Sequence, residues 1–317
     1  MSAGIWGAMT DRPAPPPPIF EEEVLPPDAV PVGVARPSRL AFPALITGNV
    51  VLAIGPWFVR MADVGPVASG FWRLALAVPF LLLIARFSGQ RFGRPSAALW
   101  LIIAVGGLFF AADLAFWHIG ILHTKLANSV LFGNIASLFF AGYGFLLARR
   151  LPGRTQWIAI LLASVGIVLL LGRSYEMSRA NLVGDLFCIA AGLSYVGYMI
   201  AVERARLRMG AWPVLTVATA AGALALWPAA MLIDGGVVPH HWAPLFALAI
   251  GSQVIGQGLI VYAIGALSPV VVGISLLCQP MVSALIGWLV YGERLTIGDL
   301  IGAAAIAVAL VLIRSRD

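Results

Sequence analysis

The chain has 317 residues, 61% of them hydrophobic and only 11% charged, with a formal net charge of +6. A soluble domain carries about 25% charged residues, so this composition excludes a water-surrounded globule and points to a polytopic membrane protein. The basic residues lie in short groups between apolar runs, which excludes a nucleic-acid surface and marks them as topology determinants.

Residues 1–39 come first and differ from the rest. "PAPPPP" at 13–18 and "EEE" at 21–23 cannot build a buried core. No basic stretch leads into an apolar one, so the segment is not a secretory signal. It reads as a disordered cytoplasmic tail.

A bilayer core needs about 20 apolar residues per helix. Ten runs meet this, at 41–59, 67–86, 97–118, 125–148, 155–172, 182–203, 212–233, 243–265, 268–291 and 297–314. They do not alternate with polar residues, so a β-barrel is excluded. The expected fold is an all-α integral membrane protein. Its ten transmembrane helices form two repeats of five, over 40–173 and 181–314.

Polar side chains are few enough within these runs to be taken one by one. Asn49 lies in the first span and Arg73 in the second. Asp113, deep in the third, is the one carboxylate far inside a span; it is a candidate coupling group, or else an ion-pair partner of Arg73. Trp117 follows it near the span end. Asn128 and Asn134 sit in the fourth span, Tyr195 in the sixth, and Gln253, Gln257 and Tyr262 in the eighth. The amides recur in equivalent spans of the two halves, which suits a shared polar cavity better than scattered interhelical glue. The aromatics could stack on a flat substrate.

The ninth span holds Gln279 and Pro280. Proline has no amide hydrogen and its ring clashes with the carbonyl four residues back, here that of Leu276. This predicts a kink whose freed carbonyl, beside the Gln279 amide, faces a cavity. At offset 144 the first half has Ala136 in place of Pro280, so the break is expected in the second half only. Spans five and ten carry almost no polar side chain and are expected at the periphery. Cys188 and Cys278 lie in apolar runs and read as packing residues. His118 and His123 do not share a helical face, and no metal or cofactor site is assigned.

With the tail placed in the cytoplasm, thirteen of the arginines and lysines flanking the spans fall on the cytoplasmic side and five on the other. This bias puts both termini inside. "AVGGLFFAADLAFWHIG" at 104–120 aligns without gaps to "AIGSQVIGQGLIVYAIG" at 249–265. Five spans separate equivalent positions, so the second half enters the membrane inverted. Inverted repeats of this kind are a transporter architecture with a central cavity near the midplane.

Pro280, Gly287, the run Gly292-Glu293-Arg294-Leu295-Thr296 and Gly302 together resemble the closing signature of the drug/metabolite transporter superfamily, in its ten-helix EamA-type branch. The resemblance spans residues 40–314. It implies a multi-pass transporter of the cell inner membrane that exports small organic metabolites by alternating access. Trp117, Asn128, Asn134 and Gln279 resemble, within that superfamily, the exporters of aromatic and other neutral amino acids. A nucleotide-sugar or sugar-phosphate exchanger is the alternative within the superfamily, and a non-transport membrane subunit is another. A membrane enzyme is disfavoured, because no HExxH, GxSxG or intramembrane acid pair occurs. The expected partners are a small-molecule substrate and the lipid bilayer, not nucleic acid. The Glu293-Arg294 turn is expected to form an ion pair at a helix end.

Overall fold

In lipid a backbone polar group has no partner outside its own chain, so each apolar run must satisfy its hydrogen bonds as a helix. The structure, a computed structural model, describes residues 39–124, 126–149, 151–171, 179–291 and 296–314. The proline-rich tail and the Glu293-Arg294 turn lie outside these. Among the described residues every regular element is helical.

Spans one to three are single helices, α1 (Ala41–Met61), α2 (Pro66–Phe87) and α3 (Ala97–His123). Span four is two pieces, α4 (Leu126–Gly133) and α5 (Ile135–Ala148), and span five is α6 (Arg154–Leu171). The second half follows with α7 (Leu182–Arg206) and α8 (Ala211–Ile233) as spans six and seven. Span eight runs through α9 (Ala243–Ala247), a π-helical stretch Leu248–Gln257 and α10 (Gly258–Ile264). Span nine is α11 (Pro269–Leu276) and α12 (Cys278–Tyr291), and span ten is α13 (Ile297–Arg314). Among the described residues seven spans are long and apolar enough to cross a bilayer by themselves, and three shorter apolar helices occupy spans four, five and ten.

The packing shows the inverted repeat directly. A two-fold operation that exchanges spans one to five with six to ten maps the pairs two–seven, four–nine and five–ten onto themselves. It swaps three–six with eight–one. All of these pairs are packed in the structure. Spans five and ten pack on each other at the periphery, and neither contributes to the central cavity.

The same symmetry is visible in single hydrogen bonds. Gly65 and Gly210 precede spans two and seven, 145 residues apart. At the first, Asp234 Oδ2 accepts from the Ala68 N–H at 2.6 Å. At the second, Gln90 Oε1 accepts from the Trp212 N–H at 3.1 Å. Each is a helix N-terminus capped by the loop that follows the two-fold mate, a contact of about 1 kcal/mol. A Cβ at either glycine would collide with the capping side chain. Spans two and seven are thereby tied at both membrane faces.

The expectation of a helix break in the second half only is corrected. Span four breaks at Asn134 and span nine at Leu277, within one residue of equivalent positions. No proline is needed in the first half. Asn134 Nδ2 donates to the Val130 carbonyl at 2.7 Å, and the Ser137 N–H bonds the Asn134 carbonyl in a tighter i+3 turn at 3.0 Å. The Val130 carbonyl also keeps its backbone donor, the Asn134 N–H, at 3.1 Å, so an asparagine that shares this carbonyl stands at the break in place of a proline. In span nine Pro280 is the third residue of α12, a first-turn position where a missing N–H removes no internal bond. The interruption precedes it, where the Leu277 N–H turns back to the Ile274 carbonyl at 3.1 Å.

Candidate functional site

Both breaks face one cavity of about 130 Å³ between the halves. The two faces of the protein differ in their loops, one arginine-rich and one arginine-poor. The lining residues come from the middle of the helices and from the halves nearer the arginine-poor face. Span one supplies Leu52, Ala53, Gly55 and Pro56, and span three supplies Phe110, Asp113, Leu114 and Trp117. Span two adds Arg73, span six Tyr195 and span eight Gln257. The broken spans add Ser129, Val130, Gly133, Asn134, Ala136 and Ser137 on one side, and Leu276 and Gln279 on the other.

Below the cavity the arginine-rich halves of spans four and nine are in backbone contact. A Cβ on Gly273 would meet the Ser137 carbonyl at 2.6 Å and the Ala141 nitrogen at 2.8 Å, and one on Gly144 would meet Val270 Cγ2 at 2.8 Å. Small residues permit this approach, as they do at membrane helix crossings generally. Among the described residues the opposite halves, α4 and α12, make no comparable contact. The cavity is thus sealed at one end.

Of the candidate residues, Asp113, Trp117, Asn134, Tyr195, Gln257 and Gln279 are on the cavity wall. Asn49, Gln253, Tyr262 and Pro280 are not. Asn49 is fully buried one layer back; it donates to the Leu45 carbonyl at 2.9 Å and accepts from Gln279 Nε2 at 2.8 Å. Gln253 is also buried, donating to Thr219 Oγ1 at 2.9 Å and accepting from Arg73 Nε at 3.2 Å. Tyr262 packs against the hydrophobic core. Pro280 is buried, and Leu276, the last residue of α11, is on the wall. The side chain of Asn128 lies outside the described residues.

The π-helical stretch carries Gln253 and Gln257. Such segments are uncommon and concentrate at functional sites. Gln257 Nε2 donates to the Tyr198 hydroxyl at 3.2 Å, with Tyr195 at 3.4 Å, and Tyr198 stacks on Phe110 with centroids 4.5 Å apart. Tyr198, Thr219 and Phe110 were not singled out from sequence. A threonine, a tyrosine and a phenylalanine in apolar helices carry no signal until their partners are known.

The anticipated Arg73–Asp113 ion pair does not form. The two side chains share the wall without approaching within 4 Å. Arg73 is 7% exposed, with Gln253 on its Nε and its Cζ 5.7 Å from the Phe110 centroid. Another arginine also differs from expectation. Arg206, counted as a surface topology marker, is 3% exposed and donates to the Val261 and Met209 carbonyls at 3.1 and 2.5 Å, joining the ends of spans six and eight.

The Asn49–Gln279 bond revises what Gln279→Leu should do. The sequence alone suggests a loss of substrate contact without loss of stability. With the bond in place, leucine leaves a buried Asn49 oxygen unpaired, at about 1–3 kcal/mol. The melting temperature should therefore fall together with transport, and Asn49→Leu added to Gln279→Leu should recover part of it. Thermal melts of the two variants and the wild type measure this.

Comparison with known proteins bears on the whole of this architecture. The EamA-like transporter family matches residues 40–172 and 182–315. A transporter of Archaeoglobus fulgidus is 26% identical over 282 residues, covering 89% of this chain and 98% of that protein. The threonine/homoserine exporter RhtA of Escherichia coli K12 is 27% identical over 249 residues, covering 76% and 80%. A solved crystal structure superposes with a TM-score of 0.74 at 17% identity, covering 87% of this chain and 99% of that one, which bears on the fold.

Proposed function

The chain belongs to the EamA-like transporter family, and on that premise we propose that it exports small neutral amino acids from the cell by alternating access. The observation that carries this reading is the cavity wall. It holds two charged side chains, and the rest is amide, hydroxyl, ring and aliphatic surface. A nucleotide sugar or sugar phosphate would call for several arginines or lysines around its phosphates, and among the described residues the wall has only Arg73. The relatives named threonine/homoserine exporters support the same substrate class. Phe110, Trp117 and Tyr195 on the wall leave room in the reading for aromatic substrates.

The basic residues support an orientation in the membrane. The arginine-rich face is assigned to the cytoplasm, with both termini there, in the cell inner membrane. The cavity then lies on the external side of a cytoplasmic seal, as in an exporter ready to release its load.

The test is counterflow in proteoliposomes. Vesicles loaded with unlabelled L-threonine or L-phenylalanine should accumulate the matching labelled amino acid only when they contain the protein. A panel of the other neutral amino acids, sugar phosphates and nucleotide sugars completes the experiment. Exchange of a sugar phosphate but of no amino acid would overturn the proposal.

A further inference from the structure

Arg73 and Asp113 are the two charged residues among the described ones lining the cavity; each lies in the other's field, but no direct contact within 4 Å joins them. Asp113 accepts no hydrogen bond from any described residue. Arg73 uses one N–H, at Nε, on Gln253, and its terminal nitrogens have no acceptor. A membrane-embedded charge without a partner is costly and marks a functional site. Here a guanidinium and a carboxyl group of opposite charge type are each left without a direct contact to the other, toward the same space.

The surroundings hold Arg73 in that position. Gln253 is anchored on Thr219 Oγ1 at 2.9 Å and grips Arg73 Nε at 3.2 Å from a π-helical stretch. The Phe110 ring backs the guanidinium. With Nε occupied, what remains for a ligand is the pair of terminal nitrogens, which suits a carboxylate.

We propose that Arg73 and Asp113 form a two-point clamp for the zwitterion of an α-amino acid, the guanidinium taking the carboxylate and the Asp113 carboxylate taking the ammonium. This rests on the amino-acid reading above and specifies what that reading leaves open. An amine would face an unmatched arginine, and an organic acid an unmatched aspartate. The clamp thus selects the backbone of the substrate, and the apolar wall at Leu52, Leu114 and Val130 receives a side chain of either kind.

The experiment compares L-threonine and L-phenylalanine with their amides and N-acetyl derivatives, as competitors of counterflow and as stabilisers of the purified protein. In the wild type each parent amino acid should compete about tenfold or more better than either derivative. Arg73→Gln should remove the advantage of the acid over the amide and leave that of the free amine. Asp113→Asn should do the reverse. Wild-type protein that carries the amino acid but is competed equally by amide and N-acetyl forms would overturn the clamp and leave the amino-acid reading intact. Absence of counterflow with any amino acid would remove both.

A structural role for the two residues predicts parallel loss for parent and derivatives, and that result also counts against the clamp. Should either neutral variant fail to fold, Arg73→Lys and Asp113→Glu keep the charge, and the wild-type competition series decides without any variant.

Discussion

Gly273→Leu should lower transport about tenfold or more and lower the melting temperature, through overpacking worth about 1–3 kcal/mol. The position a Cβ would occupy is 2.6 Å from the Ser137 carbonyl oxygen and 2.8 Å from the Ala141 nitrogen. These are backbone atoms of α5, so no rotamer change relieves the clash. The two half-helices must part, and the parting opens the seal beneath the cavity. A transporter held open on that side cannot complete its cycle. Gly273→Ala carries the same first carbon and should show the same sign with a smaller effect. The measurement is counterflow per folded protein beside a thermal melt, with labelling of a cysteine placed at Ala141, which is 2% exposed in the sealed form. Faster labelling in the Gly273→Leu background is the expected sign of opening. Normal transport with unchanged labelling would mean that this contact is not the seal.

Much of this architecture is legible in the sequence because membranes leave little choice. An apolar run must be a helix, and an odd number of spans between equivalent positions must invert the second half. The amides were also legible as a group, since a polar side chain in lipid needs a partner or a cavity. Which of these two each one has was not legible. Gln279 is on the wall and Asn49 is behind it, and only the 2.8 Å bond between them shows the order. The break in span four escaped a reading keyed to proline. Asn134 stands at the break with its side chain bonded to Val130, and an asparagine in an apolar run looks the same whether it bonds its own backbone or a neighbour. Arg206 escaped for a related reason. At a helix end the residue type marks the membrane boundary, while its burial depends on the free carbonyls of span eight, which belong to another part of the chain.

The repeat also states what the other conformation should look like. In the structure α5 and α11 are packed at the arginine-rich side, while among the described residues α4 and α12 make no comparable contact. Exchange of the two halves, at the offset of 144 between spans four and nine, converts the first contact into the second. Gly273 then corresponds to Ser129, Ser137 to Met281 and Ala141 to Leu285. Closure of the arginine-poor side should accordingly bring Ser129 against Met281 and Leu285. The cost of the exchange is modest if the two halves supply contacts of similar quality, because one seal replaces another. In protein with Cys188 and Cys278 replaced by serine or alanine, the pair Ser129→Cys and Leu285→Cys should cross-link during turnover. The cross-link should reduce transport about tenfold or more, with recovery on reduction, since a lid fixed on one side stops the cycle. Added substrate should change the cross-linking rate, because a ligand shifts the balance between conformations to which it binds differently. A control pair placed on spans five and ten, which pack together at the periphery, should leave transport intact. If the Ser129–Leu285 pair never cross-links under turnover, or links without affecting transport, the two broken spans do not exchange seals. The inverted repeat would then describe the origin of the fold and not its motion.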